Sequence, residues 1–372
     1  MGVNLSIWRR FDWVLFGVSV ALTLFGILMI RSATLDAIDP DLINRVPNQI
    51  RYALISFAVL LGLAALDYRL LGGLSGWLYL IMIALLVAVF FFGVEGDGGS
   101  RSWLNLGIPI QPSEIAKVLI IITLGVYLAR NYQRLDSIWT LAKSLLHIAV
   151  PTALIFVQPD LGMTIVFLVL WLTLVWASGL RLRHIAIALA VLIISAPVTI
   201  PVVWARMEPY QRQRIISFIS PESDRNAFYN ILQARISIGS GGLFGKGYAQ
   251  GPQNTGRFLR VRHTDFIFSV IAEEFGFVGG MTVMILIGVV VVRILRGARI
   301  AADPLGSLIC YGVASFIFFQ TFVSIGMNLS LMPVTGLTLP FISSGGTSLL
   351  STLAGIGLAE SVIMRSRTIT PT

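Results

Sequence analysis

A chain of 372 residues that is 56% hydrophobic and only 12% charged, with a formal net charge of +9, has too few charged side chains to cover a water-facing globule of that length. Apolar stretches of roughly 20 residues, the length that crosses a bilayer, recur from Phe11 to Met364. The chain therefore reads as one integral membrane domain, 1–372, with loops and no separate soluble domain, and no nucleic-acid partner is expected.

In chain order, Arg9 and Arg10 precede the first apolar run. No small-residue cleavage site follows Ile30, and the run is long enough to span, so it reads as a transmembrane helix rather than a signal peptide. Apolar segments at 12–30, 51–66, 74–94, 111–129, 144–157, 161–178, 185–204, 266–292, 305–326 and 347–364 predict an all-α polytopic fold of about ten transmembrane helices. A large extracytoplasmic loop, about 205–265, separates the seventh from the eighth. The segment 144–157 is short enough to be broken or re-entrant. If the segments alternate, Arg9/Arg10, Arg69, Arg130/Arg134/Lys143, Arg181/Arg183, Arg293/Arg296/Arg299 and Arg365/Arg367 share one side. The positive-inside rule makes that side the cytoplasm, with both termini on it. No internal repeat stands out, which disfavours inverted-repeat transporters. The single cysteine, Cys310, lies in an apolar stretch and removes disulfides and cysteine-ligated metals.

Charges near the segments come next. Glu114 and Lys117, at i and i+3 after Pro112, share a helix face and can neutralise each other. Asp160 follows Pro159 where it can cap the sixth helix. The loop 205–265 carries Arg206, Arg212, Arg214, Arg225, Arg235, Lys246, Arg257, Arg260 and Arg262, an excess that suits lipid head groups or a phosphate-bearing substrate. Its glycine run, Ile238 to Tyr248, has exposed N–H groups that could cradle a phosphate, but it lacks P-loop spacing and reads as a flexible turn. Asp265 ends the loop, a carboxylate beside cations at the membrane surface; a helix N-cap is the alternative role. Glu273 and Glu274 cannot both face lipid and are assigned to the bundle interior.

Four motifs then carry a resemblance: Gln111-Pro-Ser-Glu-Ile-Ala-Lys117; Gln158-Pro-Asp-Leu-Gly162; His263-Thr-Asp-Phe-Ile-Phe268 with Ala272-Glu-Glu-Phe-Gly276; and the run from Met332 to Gly346. In order and spacing they resemble the SEDS family (shape, elongation, division, sporulation), from the first segment to the last. The compact termini and the block Gln233 to Gly247 look most like its rod-shape branch, with the division branch as the alternative.

The resemblance implies a peptidoglycan glycosyltransferase of the bacterial cytoplasmic membrane that polymerises lipid II into β-1,4 glycan, inverting the donor and releasing undecaprenyl diphosphate. It implies Asp265 as catalytic base. Lys117 and Glu114 would shape the pocket, and Arg101, Arg257, Arg260 and Arg262 would meet phosphate, with Gln158, Asp160 and His263 as further substrate-binding positions. A divalent metal, Mg or Mn, is implied without any recognisable protein cage. Implied partners are lipid II, a class B penicillin-binding protein and other elongation-machinery membrane proteins. The partner's helix would pack near segments eight and nine, where Gly276, Gly279, Gly280 and Gly288 allow close approach. A lipid II flippase and a recruiting scaffold are the rival classes.

Overall fold

The computed structural model describes residues 5–35, 40–95, 101–105, 107, 109–132, 137–179, 182–220, 225–259 and 261–366. The long helices are α1 (Trp13–Ala33), α2 (Arg45–Ala65), α3 (Ser75–Phe92), α4 (Pro112–Arg130), α5 (Ile138–Val157), α6 (Leu161–Ala177) and α7 (Leu182–Arg206). After them come α8 (Pro209–Ile219), α9 (Arg225–Gly241), α10 (Ile267–Ile300), α11 (Pro304–Asn328) and α12 (Gly346–Met364). Among the described residues, eight of these are long and apolar enough to cross a membrane, all but α6 to α9. The shorter apolar α6 and the 25-residue α7 occupy the other two expected segments. Arg134, Arg181 and Arg367 lie outside the described residues.

Helix starts follow local chemistry. Asp12 accepts the Leu15 N–H at 3.1 Å, Asp160 that of Met163 at 3.0 Å and Asp303 that of Gly306 at 2.9 Å, each quenching an orphan donor. The segment expected to be short is a full 20-residue helix, α5, which accommodates Pro151 without breaking. Polar Thr140 and Lys143 hid its first residues, 138–143, from a hydropathy reading.

The core lies at α4 and α12, whose apolar stretches are 78% and 94% buried. Small residues make this possible. A Cβ on Gly357 would meet the Leu60 carbonyl at 2.6 Å, and one on Gly26 would meet the Ile342 backbone at 2.7 Å, so backbones touch where side chains would hold them apart.

Two connecting segments are more ordered than expected. Residues between α3 and α4 form an antiparallel sheet, β1 (Gly93–Glu95), β2 (Arg101–Asn105) and β3 (Pro109–Ile110), in which Val94 pairs with Trp103 and Leu104 with Ile110. The glycine run is not a flexible turn. α10 breaks at Gly276 (φ 66°, ψ −163°), and the run 242–247 splices into the break. Lys246 N–H donates to Glu273 O and Gly247 N–H to Glu274 O, both at 2.9 Å; Phe277 N–H donates to Gly242 O at 2.8 Å and Val278 N–H to Leu243 O at 3.1 Å. Those four groups would have bonded one another in an unbroken helix. Glycine is required because a Cβ on Gly245 would sit 2.1 Å from Glu274 O.

Candidate active site

At the end of the bundle where α10 begins lies a cavity of about 1010 Å³. Its walls come from the first turns of α2, from β2, from the α4 and α6 entries, from α8 and from the segments 261–266 and 333–348.

Asp265 lies on this wall because three successive carbonyls in front of α10 are held. Ser344 N–H donates to His263 O at 2.9 Å, Ser343 Oγ to Thr264 O at 2.8 Å and Asn328 Nδ2 to Asp265 O at 2.8 Å. Two of the sequence motifs thus pin each other. The capping role considered for Asp265 belongs to another residue: Asn328 Oδ1 accepts the Ser269 N–H at 3.0 Å and its hydroxyl at 2.7 Å. Asp265 is half-buried, its side chain on the cavity.

Asp160 joins it on the same wall while also capping α6. Gln111 Nε2 donates to its second oxygen at 3.0 Å. Burial pushes the Asp160 carboxyl up to about 6, offset in part by the Met163 N–H and by the Arg214 guanidinium. Arg214, on the amphipathic α8, is within electrostatic reach of both Asp265 and Asp160; burial lowers its pKa and the two carboxylates raise it. Gly336, whose φ of +75° favours glycine, packs its backbone beside the Arg214 guanidinium. Arg45 and Arg51 line the cavity from α2. Three cations and two acids on one cavity leave a positive excess, which suits an anionic ligand.

Glu114 and Lys117 form the expected ion pair, 2.7 Å apart and buried. Lys117 also donates to Gln320 at 3.0 Å and lies 4.3 Å from the centre of the Phe316 ring, while Ser351 Oγ donates to Glu114 at 2.7 Å. Neither lines the cavity; the pair is part of a buried polar network behind its wall.

The other expected contacts divide. Gln158 turns away and donates to Leu86 O at 2.8 Å, and His263, buried, does not line the cavity. Arg262 is buried against the end of α1, donating to Ala33 O at 2.5 Å and Leu259 O at 3.1 Å. Arg257 is exposed, outside the cavity lining. Arg260 lies outside the described residues, as does the Arg101 side chain, although its neighbours Ser102 and Trp103 reach the cavity. Sequence reasoning missed Arg214, Arg45, Arg51 and Gln111. The first was one cation among many in a long loop, and Gln111 stood unassigned inside a motif already recognised.

Glu273 and Glu274 are interior, as expected. Glu273 accepts the N–H groups of Gln253 and Asn254 at 2.7 and 3.2 Å, and Glu274 is bonded by the Ser32 hydroxyl and by Asn254 Nδ2 at 2.8 Å.

A family profile for cell cycle proteins, FTSW_RODA_SPOVE, matches residues 12–368. The chain is 39% identical to the peptidoglycan glycosyltransferase MrdB of Escherichia coli (strain K12), covering 93% of this chain and 91% of that protein. It is 30% identical to the peptidoglycan glycosyltransferase RodA of Treponema pallidum (strain Nichols), covering 95% and 98%. In structure it is similar to the rod shape determining protein RodA of Thermus thermophilus (TM-score 0.70, 31% identity, covering 96% and 97%). It also matches a chain from work on polymerization and crosslinking by a peptidoglycan synthase complex (TM-score 0.79, 31% identity, covering 95% and 97%).

Proposed function

The chain belongs to the FtsW/RodA/SpoVE family and is a multi-pass peptidoglycan glycosyltransferase of the rod-shape type, and from that premise we propose that it polymerises lipid II in the cavity where Asp265, Asp160 and Arg214 meet. The observation that carries this reading is the placing of Asp265. Its backbone is pinned, helix capping is taken over by Asn328, and its carboxylate faces the cavity together with cations.

The reaction asks for those groups. An acceptor sugar hydroxyl attacks the donor's anomeric carbon, and the C–O bond to the diphosphate breaks as the new glycosidic bond forms. The proton passes to the Asp265 carboxylate during the attack, because the hydroxyl is far too weak an acid to ionise beforehand. Charge develops on the leaving diphosphate, where Arg214, Arg45 and Arg51 stabilise it. A single displacement inverts an α-linked donor to a β-linked product. Among the described residues no three His, Cys, Asp or Glu side chains converge; a Mg or Mn ion bound with the substrate would add to the neutralisation of the diphosphate charge.

The cavity end faces outward in this reading, since Arg9, Arg10, Arg293, Arg296 and Arg365 gather at the opposite end. The partner is a class B penicillin-binding protein that cross-links the glycan. Of the glycines expected at that contact, Gly276 is filled by the spliced loop and Gly280 faces Phe268, while Gly288 stands open beside exposed Ile285 and Val292. The contact therefore centres on Gly288.

The test is lipid II polymerisation by the purified chain in detergent, where transport is undefined, with and without the partner. Wild-type glycan synthesis that disappears in a folded Asp265→Asn variant supports the reading. Synthesis retained by that variant ends it, and no synthesis by the wild type in either condition favours the flippase.

A further inference from the structure

The far end of α10 carries a second cavity that the polymerase reaction does not use. It is open, about 330 Å³, and is enclosed by the segment before α1, the last turns of α10 and the end of α12. Four arginines, Arg9, Arg10, Arg293 and Arg296, line it against one acid, Asp12. That acid is already engaged: it caps α1 through the Leu15 N–H at 3.1 Å and is bound by Arg293 at 2.6 Å. Arg10 reaches the Ser366 carbonyl at 3.0 Å, tying the two termini together, and Arg9 and Arg296 stand exposed. So dense a group of guanidinium charges repels itself, and a multiply hydrogen-bonding anion relieves that repulsion.

Its depth in the membrane narrows the anion. Trp8, Phe11 and Trp13 form an aromatic cluster at this mouth, with ring centres 5.5 and 4.9 Å apart, and Trp13 is 66% exposed. Exposed tryptophan beside outward Val14 and Val292 marks the headgroup level, where apolar surface gives way to water. The guanidinium groups therefore sit at the height of lipid phosphates.

We propose that this cavity is a binding site for a phosphate group at the membrane surface, supplied by the headgroup of an anionic phospholipid or by a soluble phosphate. The arginines chelate the phosphate oxygens while the apolar rim receives the glycerol end of a lipid.

The test uses the full chain in detergent, with phosphatidylglycerol, phosphatidylcholine or inorganic phosphate as the probe. Retained lipid is counted by native mass spectrometry, and the unfolding temperature is followed in parallel. Wild-type protein retains phosphatidylglycerol over phosphatidylcholine, and each of Arg9→Gln and Arg296→Gln weakens that retention roughly fivefold. Both variants keep the wild-type unfolding temperature in phosphatidylcholine, which shows that they fold. Displacement of phosphatidylglycerol by inorganic phosphate would support the phosphate site and name a soluble source; arginine-dependent retention without displacement would support it and name the lipid. Equal retention of the two lipids, or retention unchanged in both variants, overturns the proposal.

Discussion

Asp265 and the pair Glu273/Glu274 are acids at the same end of one helix, yet the fold treats them in opposite ways. Glu273 is surrounded by donors from its own chain, two of them backbone N–H groups at the start of the short turn 252–255, and Glu274 is bonded by Ser32 and Asn254. Asp265 is fixed through its carbonyl, and its carboxylate is presented to a cavity. A carboxylate enclosed by fixed internal donors holds structure together, and one whose backbone is held while its oxygens face a cavity is placed for chemistry. The difference lies in which part of the residue the fold grips.

The largest expected effects test that contrast directly. Asp265→Asn should lower polymerisation by two to four orders of magnitude, the range for a lost general base, with little change in thermal unfolding. Glu273→Ala should do the reverse. It orphans the Gln253 and Asn254 N–H groups and should cost roughly 2–6 kcal/mol of stability, while the fraction that remains folded keeps its activity. Lipid II turnover and thermal melts in detergent on both variants decide it. A stable but inactive Glu273→Ala would erase the distinction.

Lys117 and Glu114 sharpen the comparison, since they sit behind the cavity wall, with Glu114 still within electrostatic reach of Asp160. Lys117→Met alone leaves Glu114 buried with only Ser351 as donor and should cost about 3–5 kcal/mol. Adding Glu114→Gln should recover much of it. A double-mutant cycle read by unfolding measures the coupling, and additive losses would mean that the 2.7 Å contact contributes nothing. Arg214→Gln should have a smaller effect, roughly tenfold on turnover at unchanged stability, the scale of one charge-assisted contact. A variant with wild-type turnover would remove Arg214 from the site.

How much of this was legible in the sequence depends on range. The apolar segments follow from composition, and the Glu114–Lys117 pair follows from helical spacing, both local properties. The Asn328 cap on α10 was not legible, because capping from another helix leaves no trace in spacing. The splice at Gly276 was hidden for a related reason: glycines serving a backbone crossing look the same in sequence as glycines serving a loose turn. Arg214 was invisible among the cations of its loop until α8 placed it within electrostatic reach of two carboxylates. The recognised motifs told where the site is, and the fold assigned the work within it. Gln158 and Asp160 share one motif, yet one bonds a neighbouring helix and the other lines the cavity.

Asp160 offers the smallest effect and a test of sign. Its carboxyl is raised from the ordinary 3.8 to about 6, chiefly by burial, so over that interval the folded state holds a proton that the unfolded state has released. By linkage, the contribution of this group to stability is present in acid and is lost as the pH rises from about 4 to about 6, levelling off above. Asp160→Asn removes the titration and keeps one oxygen for the Met163 N–H, so the start of α6 stays capped, while its amide nitrogen faces Gln111, whose own amide flips to present an oxygen. Wild-type stability relative to the variant should therefore fall across that interval and be flat near neutrality. Unfolding temperatures of the two proteins in matched buffers give the difference directly. A difference independent of pH would show that Asp160 ionises as it does in water, and its standing as a desolvated partner of Arg214 would fall.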